Sequence, residues 1–222
     1  MIYKDLKTIE YGSAWHLQQA LFAESLSRKD KGLKGVNELI FCEHPHVITM
    51  GKHGKAENLL FQESFLNEKG VSLFQIDRGG DITYHGPGQL VGYPIFDLEI
   101  FQIGLRQYIF NIEEIIIRLL AKYGIQSERL NGAAGVWIET TIPSRVRKIC
   151  AIGVRSSRFV TMHGFALNVN TDLSYFSLIN PCGFIDKGVT SMEKELGYKV
   201  DMEKVKKDAK QLFEEIFDER IV

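Results

Sequence analysis

Cysteine is scarce in this chain. Three occur among 222 residues, Cys42, Cys150 and Cys182, an odd number with wide spacing and no CxxC pair. That pattern argues against a disulfide framework and a thiolate zinc site, and fits a reduced, cytoplasmic protein with a thiol to spare for chemistry. Excess charge is also missing. The net charge is −1, so composition carries no footprint for nucleic acid. No apolar run approaches the roughly 20 residues that cross a bilayer. The N-terminal MIYKDLKTIEYGSAW lacks the basic-then-apolar order of a secretory signal. Repeats, low-complexity tracts and linkers are absent, so residues 1–222 are expected to form a single domain. Neither G-x-x-x-x-G-K-[ST] nor G-x-G-x-x-G occurs, and Gly51-Lys52 stands alone, so nothing calls for a nucleotide cofactor. A metal reading rests only on His44, His46 and His53, with no carboxylate or cysteine to complete the set, and no metal is expected.

What is present is ordinary globular sequence, 45% hydrophobic and 25% charged. AWHLQQALFAESLSRKD (14–30) predicts a helix, free of Gly and Pro. ELIFCE (38–43) and HVITMG (46–51) predict strands around the turn His44-Pro45. SLFQID (72–77) and YPIFDL (93–98) predict strands on either side of a glycine-rich stretch. Leu105, Ile109, Ile112, Ile116, Leu119 and Tyr123 recur at helical spacing, with Glu114 and Arg118 placed to pair and Gly124 to stop the helix. GVWIE (135–139), KICAIGV (148–154) and FVTMHGFALNVN (159–170) predict successive strands. Thr190-Ser191-Met192-Glu193 reads as a capping box. A last amphipathic helix carries Met202, Val205, Ala209, Leu212, Phe213 and Ile216. Strands gathered in runs with helices between them predict an α+β, mixed α/β fold.

Two stretches bear chemistry. RGGDITYHGPGQL (78–90) sets Arg78, Tyr84, His85 and Gln89 among Gly79, Gly80, Gly86 and Gly88, which are expected to adopt positive φ and let backbone approach a ligand. NPCGF places Cys182 between a stiff Pro181 and an uncrowded Gly183. Cys42 and Cys150 lie in apolar, strand-like runs and are expected to be buried. A nucleophilic thiol needs a cation or base, because at a pKa near 8.5 it is mostly protonated at neutral pH. His85, His163 and Lys148 are all candidates on sequence alone.

RGGDITYHGPGQLVGYPIFDL, KICAIGVR with HGFALNVNTDL, and INPCG, in that order, closely resemble the lipoyl(octanoyl) transferases. The resemblance covers nearly the whole chain. It implies the fold of the biotin and lipoate protein ligases, a mixed sheet flanked by helices. It implies transfer of octanoyl from octanoyl-acyl carrier protein to a lysine of lipoyl domains in 2-oxoacid dehydrogenase subunits and of the glycine cleavage H protein, without a cofactor. By matching position, Cys182 takes the acyl group and Lys148 lowers the thiol's pKa and moves protons. Arg78, Gly79, Gly80, Asp81, Ile82, Thr83, Tyr84 and His85 match one substrate-binding segment. Ala151, Ile152 and Gly153 match a second, and Gly164, Phe165 and Ala166 a third. Cys150 departs from the family pattern, which carries a small apolar residue there. An ATP-dependent lipoate or biotin ligase, or a non-catalytic carrier-binding module, on the same fold are the rival readings.

Overall fold

The computed structural model describes residues 1–180 and 187–222; Cys182 therefore lies outside the described residues. Two sheets organise the chain. In the 8-stranded sheet, β1 (Ile2–Thr8) pairs in parallel with β2 (Glu38–Glu43). Antiparallel neighbours follow: β6 (Gln89–Ile95), β10 (Val160–Asn168), β9 (Arg147–Ser157), β8 (Ala133–Ile138) and β7 (Glu128–Leu130). A short β11 (Gly188–Val189) adds in parallel to β9. The small sheet has β3 (Val47–Met50) between β4 (Ser72–Gln75) and β5 (Ile82–His85). Both sheets mix parallel and antiparallel pairs, as the expected mixed α/β class requires. His44-Pro45 is where the chain leaves one sheet for the other.

Burial follows from strand alternation. One face of the large sheet packs against α3 (Leu105–Lys122) and α5 (Met202–Phe217) through Leu39, Phe41, Val136, Ile149, Cys150, Leu167 and Phe213. On the opposite face α1 (Tyr11–Asp30) covers Ile40, Cys42, Val91, Tyr93 and Met162. The small sheet, backed by the short helix α2 (Glu63–Glu68), stands beside α1, with its own core of Ile48, Leu66, Ile82 and Tyr84. Among the described residues, no helix is long and apolar enough to cross a membrane.

Several expectations shift. The buried stripe of α3 runs through Tyr108, Ile112, Ile115, Ile116 and Leu119, while Leu105 in its first turn is exposed. Glu114 pairs with Arg118 at 2.8 Å as expected, and Arg129 joins it. The short helix α4 (Met192–Leu196) is capped by Ser191, whose hydroxyl accepts from the Lys194 amide, rather than by Thr190. The glycine-rich stretch is not loop throughout: it contains a strand of the small sheet and then crosses to the large one. β5 fills its middle, and β6 starts at Gln89, four residues before the predicted strand. Only Gly80 (φ +88°) and Gly88 (φ +78°) have positive φ there. Gly86 is needed for space instead: a Cβ would collide with the Tyr84 ring.

Candidate functional site

Between the small sheet and the uncovered part of the large sheet lies a cavity of about 270 Å³. Its roof is the glycine-rich segment: Arg78, Gly80, Asp81, Ile82, Thr83 and His85 line it. Its floor is the central strand pair. Ala151, Ile152 and Gly153 come from β9, and Gly164, Phe165 and Ala166 from β10. The register sets these side by side, Gly153 opposite Gly164 and Ala151 opposite Ala166. Glycine and alanine on this floor leave room where larger side chains would close it. At Gly164 a Cβ would stand 2.2 Å from the Gly92 carbonyl oxygen, so that strand can approach β6 only without a side chain.

A bulge delivers Lys148 to the same space. Val136 pairs with Cys150 and Trp137 with Lys148, so β9 has one residue, Ile149, more than β8 at this point. One extra residue reverses the inside–outside alternation. Ile149 and Cys150 both enter the core, and Lys148 comes onto the face of Ala151 and Gly153, lining the cavity. Its Nζ lies 4.4 Å from the centre of the Trp137 ring. In an unbroken strand Lys148 would share a face with Cys150 and point into the core. Cys150 is fully buried, and burial pushes its thiol far above the ordinary range, as it does for Cys42. Both are packed as apolar groups, as expected.

The remaining sequence candidates are distributed as follows. Arg78 is nearly buried, its guanidinium donating to the Thr49 carbonyl oxygen at 2.8 Å and to the Gly79 carbonyl oxygen at 3.0 Å. Gly79 does not line the cavity; its amide donates to the Val154 carbonyl, which ties the glycine-rich segment onto β9. Asp81 accepts from the Lys55 amide and from Asn58, anchoring the other end. Tyr84 points away, to the small sheet's own core, where its hydroxyl meets His46 Nδ1 at 2.7 Å and its ring stacks on Tyr175. His44 and His46 are held by Tyr93 and Tyr84, and no group of His, Cys, Asp or Glu among the described residues could hold a metal ion.

The histidines are poorly suited to be a base. Burial, with the His44 and Arg78 charges added, lowers His85 to a pKa of about 3, and its Nδ1 meets the Gln89 carboxamide oxygen at 2.7 Å. His163 is also pressed down by burial and is engaged by Asp77 at 2.9 Å. It adopts φ +61° in the middle of β10, so its amide leaves the ladder and donates to Gln18. His44 is lowered to about 4 by burial. Since the unfolded value is 6.5, protonation below it favours the unfolded chain. Stability is therefore expected to fall as pH drops below about 6.5. The loss at pH 5 should be on the order of 2 kcal/mol for a histidine so depressed. Urea midpoints at pH 7.5 and pH 5 measure it, and equal midpoints would refute it.

The glycine-rich segment makes its own test. Gly80→Val must hold φ +88° and bring its Cβ within 3.3 Å of the Arg78 guanidinium. A left-handed backbone costs an L-residue about 1–2 kcal/mol. The variant should stay folded by circular dichroism yet lose cavity function; unchanged turnover would reduce the segment to a connector.

Sequence reading missed several lining residues: Tyr11, Tyr93, Trp137 and Asn168. Tyr93 follows Gln89 and Val91 at the strand period of two, a signal hidden by the late predicted start of β6. Tyr11 carries no such signal, since only the docking of α1 brings it near.

Residues 10–214 match the family described as lipoyl protein ligase A/B catalytic domain. A curated protein of Parabacteroides distasonis, named octanoyltransferase, is 60% identical over 97% of both chains. One of Bacteroides fragilis with the same name is 57% identical over 92% of both. Among solved structures, a bipartite lipoate protein ligase of Thermoplasma acidophilum superposes with a TM-score of 0.71 at 17% identity, covering 100% of this chain and 86% of that one. The biotin protein ligase of Aquifex aeolicus gives 0.52 at 12% identity, covering 98% and 69%. These structures share the biotin/lipoate ligase-like fold.

Proposed function

Because the chain belongs to the lipoyl protein ligase A/B catalytic-domain family, whose curated members at 57–60% identity are named octanoyltransferases, we propose that it moves octanoyl from octanoyl-acyl carrier protein to a lysine of lipoyl domains. The coarse activity is octanoyl transfer in protein lipoylation. The observation that carries the finer reading is Lys148, turned by the β9 bulge into a cavity lined by all three family segments.

In the proposed reaction, Cys182 loses its proton to Lys148 or holds its thiolate against the Lys148 ammonium. The thiolate attacks the octanoyl thioester carbonyl. The carrier's pantetheine thiolate leaves and takes a proton from Lys148, while octanoyl stays on Cys182. The acceptor lysine amine then attacks this second thioester, Cys182 leaves as thiolate, and Lys148 takes the surplus amine proton. The first exchange is nearly isoenergetic and the second forms an amide, so ATP is not required. Backbone amides of the glycine-rich segment are the proposed stabilisers of the oxyanion. Holding six methylenes in the cavity would contribute about 5 kcal/mol, at ~0.8 each.

The test is intact mass after exposure to octanoyl-carrier without ATP. A gain of one octanoyl, mapped to the peptide holding Cys182 and lost in Cys182→Ala, is expected, followed by transfer to a lipoyl domain. Label on Cys150 would overturn the nucleophile. A strict ATP requirement would instead place the chain with the ligases that share its fold, and binding without turnover with carrier-binding modules.

A further inference from the structure

We propose that Trp137 is a positioning residue for Lys148, its indole face holding the ammonium and so setting the pH range in which the lysine keeps its proton. This rests on the reading of Lys148 as the proton-moving group.

The geometry begins with register. Trp137 and Lys148 are direct cross-strand partners at the bulge, so both side chains leave the sheet on the cavity face. The Lys148 Nζ stands 4.4 Å from the ring centre, inside the range where an aromatic quadrupole attracts a cation. The ring cannot drift: its residue is only 1% exposed, and its Nε1 donates to the Ala133 carbonyl oxygen at 3.2 Å. A buried ring face favours a cation more than an exposed one, because little water competes for it.

Chemistry gives the arrangement a purpose. A lysine that shuttles protons in a mostly apolar cavity would tend to lose its charge by desolvation. The cations Arg78 and Lys187 line the same cavity and push in the same direction. Asp81 lines it as well, with its carboxylate engaged by Lys55 and Asn58, and His85 there is held neutral. Behind β9 the Cys150 thiol is neutral, and Glu113 accepts from the Gly135 amide and from Arg129. The ring face opposes desolvation and, being uncharged itself, does so more gently than a carboxylate. A carboxylate in its place would hold the proton too tightly for transfer; an aliphatic wall would hold it too loosely.

The experiment reads Lys148 directly. Trace acetylation with acetic anhydride over a pH ladder, followed by peptide mass spectrometry, gives the titration midpoint of each lysine in the folded protein. Tryptophan is replaced biosynthetically by mono- and difluorinated analogues, which keep the ring's shape and weaken its negative face. The Lys148 midpoint should fall stepwise with fluorination, and by about one pH unit in Trp137→Leu. The basic limb of octanoyl transfer should move down with it. An unmoved midpoint across the fluorinated series overturns the proposal, and so does an equal shift in Trp137→Phe and Trp137→Leu. A wild-type protein that takes no octanoyl on Cys182 would refute the proposed function instead, and the lysine titration would still decide the role of the ring.

Discussion

Replacing Lys148 by alanine is expected to lower octanoyl transfer by about 10²–10⁴-fold, the usual worth of a positioned proton-transfer group. Geometry narrows the choice to this residue. Of the three sequence candidates, His85 has a pKa of about 3, and His163 is pressed down by burial while Asp77 engages it. Lys148 stands in the cavity on the strand that also supplies Ala151 and Gly153. Two substitutions separate its roles. Lys148→Ala removes both charge and proton carrier, so alkylation of Cys182 by iodoacetamide should slow most near neutral pH, and transfer should fall with it. Lys148→Arg keeps a cation that does not deprotonate in this range. It should retain much of the alkylation rate and still fail to complete amide formation. If alanine leaves both rates unchanged, Lys148 has no part in the chemistry and the candidate site loses its centre.

Ala166→Leu should change which acyl chains are accepted. Ala166 stands between Ala151 on one side and Val91 on the other, and all three line the cavity. Three added carbons occupy room for about three methylenes, which at ~0.8 kcal/mol each is about 2–3 kcal/mol of lost acyl burial. Octanoyl transfer should drop by roughly fifty-fold, while butanoyl, which needs less of the cavity, should be little affected. Competition between octanoyl- and butanoyl-carrier in one reaction measures the ratio directly. An unaltered preference would mean that the acyl chain lies elsewhere. Because Ala166 also packs against the α1 side of the sheet, a thermal melt must accompany the assay.

Much of this protein is determined locally along the chain. Period-3.6 apolar spacing is enough to place α3 and α5, and apolar runs bounded by turns place the strands from β8 to β10, because each follows from which residues one element must bury. The three segments that line the cavity are recognisable as short motifs for a related reason. Glycine and alanine at Gly80, Gly153, Gly164 and Ala166 are demanded by space and by backbone conformation at those very positions. Long-range facts were not legible. KICAIGV reads as an alternating strand that would turn Lys148 inward with Cys150; only pairing with β8 reveals that Ile149 is supernumerary and that Lys148 faces the cavity. Two histidines, His85 and His163, and one lysine, Lys148, stand as candidate bases on paper. Burial then deprives both histidines of the water that would stabilise their charged forms. Sequence determined what each segment prefers to bury and how much room its backbone needs. Tertiary structure decided which face each side chain takes and whether its charge survives, because register and desolvation depend on neighbours many residues away.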